Sequence, residues 1–250
     1  MRKIVVFLIV TLFYSAPCFA AKRFTFVTVD FPPYYGEELP EYGWVSEIAR
    51  KALEIKGYEV EIRFIPWVKA LEGTQEGSYD ALLGAYRTPE RSQLYYFSLP
   101  VGQVRIGFFK RKTDEISFKE LTELMDYKIG VVEGYATSPH FDSANYLNKH
   151  FVSNLDEGLK LLRNGELDLM ADSQAVGEYR LKLLEKEENG ISSEIEFIKP
   201  ELAKNKIYVA ISKNATNAAR KLMDFNRGLI KIYRKGIVRK IRWKHKKYIK

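Results

Sequence analysis

The chain has a single cysteine, Cys18, among its 250 residues. That excludes a disulfide framework and leaves stability to a packed core. Only three histidines are present, His140, His150 and His245, with no paired spacing. They form no metal-ligand pattern, and all three are expected at the surface. A Gly-rich phosphate loop, a nucleophile elbow and a Ser-His-Asp set are all missing. Paired carboxylates, which acid–base chemistry would need, are placed only at Asp172 and Glu133. The sequence therefore points to no catalytic set, metal or cofactor. No apolar run is long enough to cross a bilayer. Acidic residues are also in deficit, with Lys and Arg totalling 40 against 32 Asp and Glu, a net +8.

What is present begins with an export signal. Arg2 and Lys3 form a basic start, Ile4 to Tyr14 an apolar stretch, and Ser15 to Ala20 a small-residue end. Cleavage is expected after Ala20, which removes Cys18. Lipid attachment at Cys18 is the lesser alternative, disfavoured by Pro17. Loss of Arg2 and Lys3 takes the charge from +8 to +6. Of the partners a basic exported protein meets, no nucleic acid is expected, and a soluble periplasmic monomer is the simpler reading. The composition, 46% hydrophobic, allows a sizeable core in one or two units.

Alternation in Arg23 to Val29 predicts a first strand. The loop Phe31-Pro32-Pro33-Tyr34-Tyr35-Gly36 breaks it and holds three aromatics that want either a core or a ligand. Val45, Ile48, Ala49, Ala52 and Leu53 recur with helical spacing after Gly43-Trp44. A strand over Tyr58 to Phe64, a short helix from Pro66-Trp67 and a strand over Tyr79 to Leu83 follow. This β-α-β-α-β order predicts a largely parallel sheet with helices on its faces. Ligands bind beyond the carboxyl ends of such strands, where the Phe31 loop, Pro66-Trp67 and Gly84 to Arg91 all fall.

After a strand over Gln103 to Lys110 the pattern restarts. Helices are expected over Phe118 to Met125, Pro139 to Lys149, Asp156 to Arg163 and Ala175 to Glu187. Strands are expected over Tyr127 to Val132, Phe151-Val152 and Leu167 to Ala171. Glu194 to Ile198 reads as extended and Ile207 to Ile211 as a strand. Ala215 to Arg234 and Ile237 to Ile249 are expected as two last helices, the second densely basic. A basic helix with interleaved apolar residues suits an anionic surface or docking on the first lobe, and docking is expected.

Within Thr88-Pro89-Glu90-Arg91, Thr88 can cap a helix, Pro89 suits its first position and Glu90 its first turn. A helix start facing a cleft favours an anion, and Arg91 adds a planar fork that suits a carboxylate. Arg91 is thus the predicted ligand anchor. Asp80 and Asp168, just inside strands, are expected to orient backbone.

These pieces in this order resemble a known family. Phe31-Pro32-Pro33-Tyr34, Gly77-Ser78-Tyr79-Asp80-Ala81, Thr88-Pro89-Glu90-Arg91, Phe97-Ser98-Leu99-Pro100, Gly130-Val131-Val132-Glu133-Gly134 and Gly165-Glu166-Leu167-Asp168 are similar to motifs of bacterial extracellular solute-binding proteins of the polar amino-acid type. These are the periplasmic components of ABC importers. The resemblance covers residues 22–250. It implies an α/β, type II periplasmic-binding-protein-like fold: two lobes, each a mostly parallel sheet flanked by helices, joined by two crossing strands. The first lobe would hold residues 21–110 and 205–250, the second 111–204. The crossings would run near Val104–Phe109 and Ile207–Ile211.

The resemblance also implies roles. Arg91 would pair with the ligand's carboxylate, with Tyr34 or Tyr35 and Trp67 flanking. Tyr86 and Arg87 would complete the first-lobe wall. Tyr135, Ala136 and Asp172 would form the second, with Asp172 as the acid for an α-ammonium. The turn Gly134-Tyr135-Ala136-Thr137 carries Tyr and Ala where small hydroxyl residues are usual, and the stretch up to Asp172 is one residue short. These departures suggest a larger, more anionic or aromatic ligand. The expected function is capture of a small carboxylate-bearing solute for an ABC-transporter permease, without enzymatic activity. The alternatives are a sensing subunit for a membrane receptor, or an enzyme of cyclic-acid dehydratase type on the same fold.

Overall fold

The computed structural model describes residues 22–248, so the expected export signal lies outside the described residues. The first alternating stretch forms β1 (Lys22–Thr28), with Phe24, Phe26 and Val27 buried. Helix α1 (Trp44–Glu54) turns the predicted stripe of Val45, Ile48, Ala49, Ala52 and Leu53 into the core. Then come β2 (Tyr58–Phe64), α2 (Trp67–Gln75), β3 (Ala81–Ala85), α3 (Pro89–Leu94), β4 (Tyr95–Phe97) and β5 (Gly102–Arg111). The chain continues through β6 (Ile129–Val132), α4 (Pro139–Asp142), β7 (Lys149–Val152), α5 (Leu155–Arg163), β8 (Leu169–Ser173), α6 (Gln174–Leu184) and α7 (Ile191–Glu194). It closes with β9 (Ile195–Ser212), α8 (Ala218–Arg234) and α9 (Ile237–Lys244).

The strand order is β2-β1-β3-β9-β5-β8-β6-β7, with β4 beside β9. Each half is parallel at its centre: β1 pairs with β2 and β3, and β6 with β7 and β8. The antiparallel pair β5 and β9 joins the halves, pairing from Gly102–Ile207 to Arg111–Ile195 with a register shift between Ile106 and Phe108. This is the two-lobed, periplasmic-binding-protein-like architecture. Helices α8 and α9 return to the first lobe. Gly228 of α8 packs so close to α1 that a Cβ there would lie 1.8 Å from the Ala52 carbonyl oxygen.

Several expected elements move. Strand β9 is one 18-residue strand where two pieces were expected. Its middle carries Pro200 and the charges of Lys199, Glu201 and Lys204, and is only partly buried, so it lacks a strand's apolar signal. The expected helix over Pro139 to Lys149 shortens to α4, because Asn145 and Asn148 favour turns. Phe118 to Met125 yields only a 3-10 turn over Leu121–Leu124. Strands β3 and β8 each begin two residues later than expected. Asp80 accepts the Thr25 N–H (2.7 Å), and Asp168 that of Lys128 (2.8 Å), as orienting carboxylates.

The last helix ends at Lys244, short of Ile249. His245 is buried and not at the surface: its Nε2 lies 2.7 Å from the Glu47 carboxylate of α1. It continues the inward stripe of Val238 and Ile241 by one turn, a position hidden in sequence by the lysines around it.

Candidate functional site: an aromatic cleft between the lobes

Strand β3 reaches the sheet edge at Gly84, whose φ of +99° favours glycine. A Cβ there would lie 2.2 Å from the Tyr35 hydroxyl, so Gly84 also makes room for that ring. The Tyr35 hydroxyl donates to the Gly84 carbonyl (3.4 Å), and its ring stacks on Phe31 at 5.4 Å. The Phe31–Tyr35 loop is thereby fixed over the end of β3.

Thr88 caps α3, its hydroxyl accepting the Arg91 N–H at 3.1 Å, with Pro89 in the first turn. This aims the Arg91 side chain into the cleft. Its Nη1 donates to the Tyr86 carbonyl (3.2 Å), and its Nη2 crosses to the Gly134 carbonyl (3.0 Å) of the second lobe. The guanidinium lies 5.6 Å from the Trp67 ring centre, and the Trp67 indole N–H donates to the same Gly134 oxygen (3.2 Å). Among the described residues no carboxylate forms a salt bridge with Arg91. Burial pushes its pKa below the ordinary arginine value. A cation held only by neutral carbonyls is a strong place for an anion.

The second lobe answers with Tyr135, edge-on to Trp67 and Phe31, each at 6.3 Å. Burial raises the phenols of Tyr35, Tyr86 and Tyr135 well above their ordinary range, so all three stay neutral. Asp172, near the end of β8, is 5% exposed. One of its oxygens accepts the Ser173 N–H; the other, Oδ2, is buried with no partner among the described residues. Burial pushes this carboxyl up to about 7, the Ser173 N–H opposing that rise.

Tyr35, Trp67, Tyr86, Arg91, Tyr135 and Ala136 thus converge, with Val29, Phe31 and Gly84, on a small, partly open pocket of about 20 Å³. That is room for a water molecule or so. A cleft of about 780 Å³ adjoins it, sharing Phe31, Trp67 and Tyr135 and including Asp172. Asp30, Glu37, Glu133, Asp156 and Asp172 face Lys69 and Arg180 there. Arg180 is already engaged by Asp156 through both carboxylate oxygens.

Two expected site residues are not brought to this place. Tyr34 turns into a different cleft, with Trp44, Arg105 and Gln174. Arg87 is exposed and its Nε donates to the Ser92 hydroxyl (3.4 Å). Conversely, sequence reasoning passed over Phe31 as a lining residue, the Gly134 carbonyl as Arg91's partner, and the Asp156–Arg180 pair. The Phe31 position, immediately beyond the end of β1, was the available signal. The others are a main-chain acceptor and a side-chain pair between α5 and α6, for which there was none.

A two-lobed α/β molecule with a cleft where the lobes meet has an architecture shared by solute-binding proteins and by enzymes on the same fold. Residues 26–248 match the bacterial extracellular solute-binding proteins, family 3. The chain belongs to that family. Curated proteins give no significant match. Among solved structures it is similar to a histidine kinase sensor domain with similarity to periplasmic binding proteins, at 21% identity and a TM-score of 0.77, covering 88% of this chain and 94% of that one. It is also similar to the substrate-binding protein of an amino acid ABC transporter (18%, TM-score 0.73, 89% and 98%). A third is an amino acid ABC transporter substrate-binding protein from Streptococcus pneumoniae bound to L-arginine (17%, TM-score 0.71, 89% and 94%). At these identities the likeness is one of fold.

Proposed function

We propose that this protein captures an α-amino acid, with a cationic or polar side chain, in the cleft between its lobes and delivers it to a permease of the ABC-transporter class. The observation that carries this is the pair of unsatisfied opposite charges. Arg91 is a half-buried cation without a carboxylate, and Asp172 has a buried free oxygen. An α-carboxylate would replace the Gly134 carbonyl as a partner of Arg91, and an α-ammonium would meet Asp172. The small pocket cannot hold the whole solute, so the side chain would extend into the adjoining cleft. With Asp172 taken by the α-ammonium, four carboxylates against two cations line that cleft, which favours a positive or neutral tail over an anionic one.

In this reading the protein is a periplasmic monomer whose lobes divide within β5 and β9, and ligand shifts an open–closed equilibrium towards closed. The Arg91–Gly134 bond is the contact that ligand entry must exchange. A role presenting ligand to a membrane receptor would use the same site. The reading implies binding without turnover.

A thermal-shift panel tests it, using protein unfolded and refolded to remove carried-over solute. A solute at about a hundred times its Kd adds about 2.7 kcal/mol to stability, a shift that is easily seen. Basic and polar α-amino acids are expected to raise the midpoint, and acidic ones and amine-free acids are not. A hit confined to dicarboxylates or aromatic acids would overturn the assignment of the cleft.

A further inference from the structure

The positive charge of the molecule sits in one place that the solute site does not use. From Ala218 to Tyr248 the chain carries twelve Lys and Arg against one acid, Asp224, a net +11. The whole chain is only +8, so everything else is acidic by three. Helices α8 and α9 bury their apolar sides, Phe225, Leu229 and Ile232 on one and Val238 and Ile241 on the other. Asp224 is turned inward to the Tyr58 hydroxyl and Lys56. Among the described residues, only Lys221 and Lys244 of the twelve pair with a carboxylate. The others have no such partner, and most of them are exposed.

The same surface shows large apolar groups. Met223, Ile230 and Tyr233 stand out from α8 beside Arg227, Lys231 and Arg234, and Trp243 stands out from α9. Trp243 is 70% exposed, whereas Trp44 and Trp67 are 3% and 8% exposed. The Lys246 ammonium lies 5.0 Å from its ring centre. Docking on the first lobe needs none of these outward groups.

We propose that the outer surface of α8 and α9 is a docking surface for an anionic phospholipid bilayer. The occupant follows from the chemistry. Dispersed, unpaired Lys and Arg match a sheet of negative headgroups without requiring a defined geometry. An exposed Trp flanked by lysines suits the headgroup level, where an amphipathic ring has both its environments. A compact acidic ligand would need a pocket, and this surface is convex helix. The acidic remainder of the chain would be repelled by the same bilayer, which orients the molecule with α8 and α9 towards it.

Flotation with vesicles of the protein freed of its expected export signal, from Ala21 onward, tests this, together with Trp fluorescence. The vesicles are phosphatidylcholine alone, or phosphatidylcholine with about a third phosphatidylglycerol. The protein is expected to float only with the anionic vesicles, and binding should fall at least about tenfold as salt shortens the Debye length from about 10 Å to 3 Å. Brominated lipid should quench Trp243 emission, and Trp243→Phe should abolish the quenching. R239E/K240E/K246E/K247E should remove flotation with the thermal midpoint unchanged. Equal binding to neutral vesicles, no binding to anionic ones, or full binding by the fourfold variant would overturn the proposal. So would retention by heparin or RNA without vesicle binding, which would assign the surface to a soluble polyanion.

Discussion

Arg91→Ala is expected to weaken binding of the cognate amino acid by about a hundredfold to several thousandfold, on the order of 3–5 kcal/mol. The reason is asymmetric. Without the guanidinium a carboxylate in the closed cleft faces Trp67, Tyr86 and Tyr135 and loses its one charged partner. Leaving a buried ion unpaired costs far more than the pair gains over a neutral substitute. The solute-free protein should hardly notice. Arg91 gives up bonds to two carbonyls, and the Gly134 oxygen keeps the Trp67 N–H. Removing a desolvated cation with no carboxylate offsets part of that loss. Arg91→Lys should be intermediate, since a point charge cannot bridge Tyr86 and Gly134 as the planar fork does. Calorimetric titration of the three proteins, beside their thermal midpoints, checks this. Unchanged affinity in Arg91→Ala would remove Arg91 from the site.

The second large effect belongs to Asp172. Its carboxyl sits at about 7 in the folded chain, against an ordinary value of 3.8, with burial the first cause. The folded state therefore holds the proton over a range where the unfolded chain has lost it. Stability must fall as pH rises from about 4 to about 7 and level off above, by on the order of 4 kcal/mol for this group. Asp172→Asn removes the ionisation and should be more stable than the wild type near pH 8, with a flatter profile. Binding runs the other way. An ammonium at Oδ2 favours the carboxylate, so affinity should rise up to about tenfold per pH unit below 7. Asp172→Asn should lose both that affinity and its pH dependence. Melting curves and titrations across this range separate the two effects. A wild-type profile as flat as that of Asp172→Asn would mean the carboxyl is not buried in this way.

Both candidates were singled out in the sequence for different reasons. Arg91 follows from local chemistry: a cap at Thr88, Pro89 in the first turn, and a strand delivering them to the sheet edge. Asp172 came through resemblance, and its burial and its free oxygen appear only once β8 is placed between β5 and β6. Parallel β-α units with strong periodicity, such as β1-α1-β2, read cleanly. Strand β9 did not, because a strand that crosses between lobes is held by pairing along its length and need not alternate in hydrophobicity. Tyr34 and Tyr35 are adjacent and alike, yet Tyr35 lines the small pocket and Tyr34 a different cleft. Sequence holds no information on which way each ring turns in a loop. His245 was invisible for a similar reason. Its partner Glu47 is 198 residues away, and a single buried position just past the end of a lysine-rich helix leaves no pattern.

The central claim is that Arg91 and Asp172 hold the two ends of one α-amino acid. Calorimetric titration of the refolded protein with the strongest solute of the panel, its decarboxylated amine and its deaminated acid tests this most directly. The account predicts tight binding of the intact amino acid and losses of at least about a hundredfold for each truncated analogue, since each leaves one buried charge unpaired. An analogue that binds as tightly as the parent would contradict it and release the corresponding residue from the site.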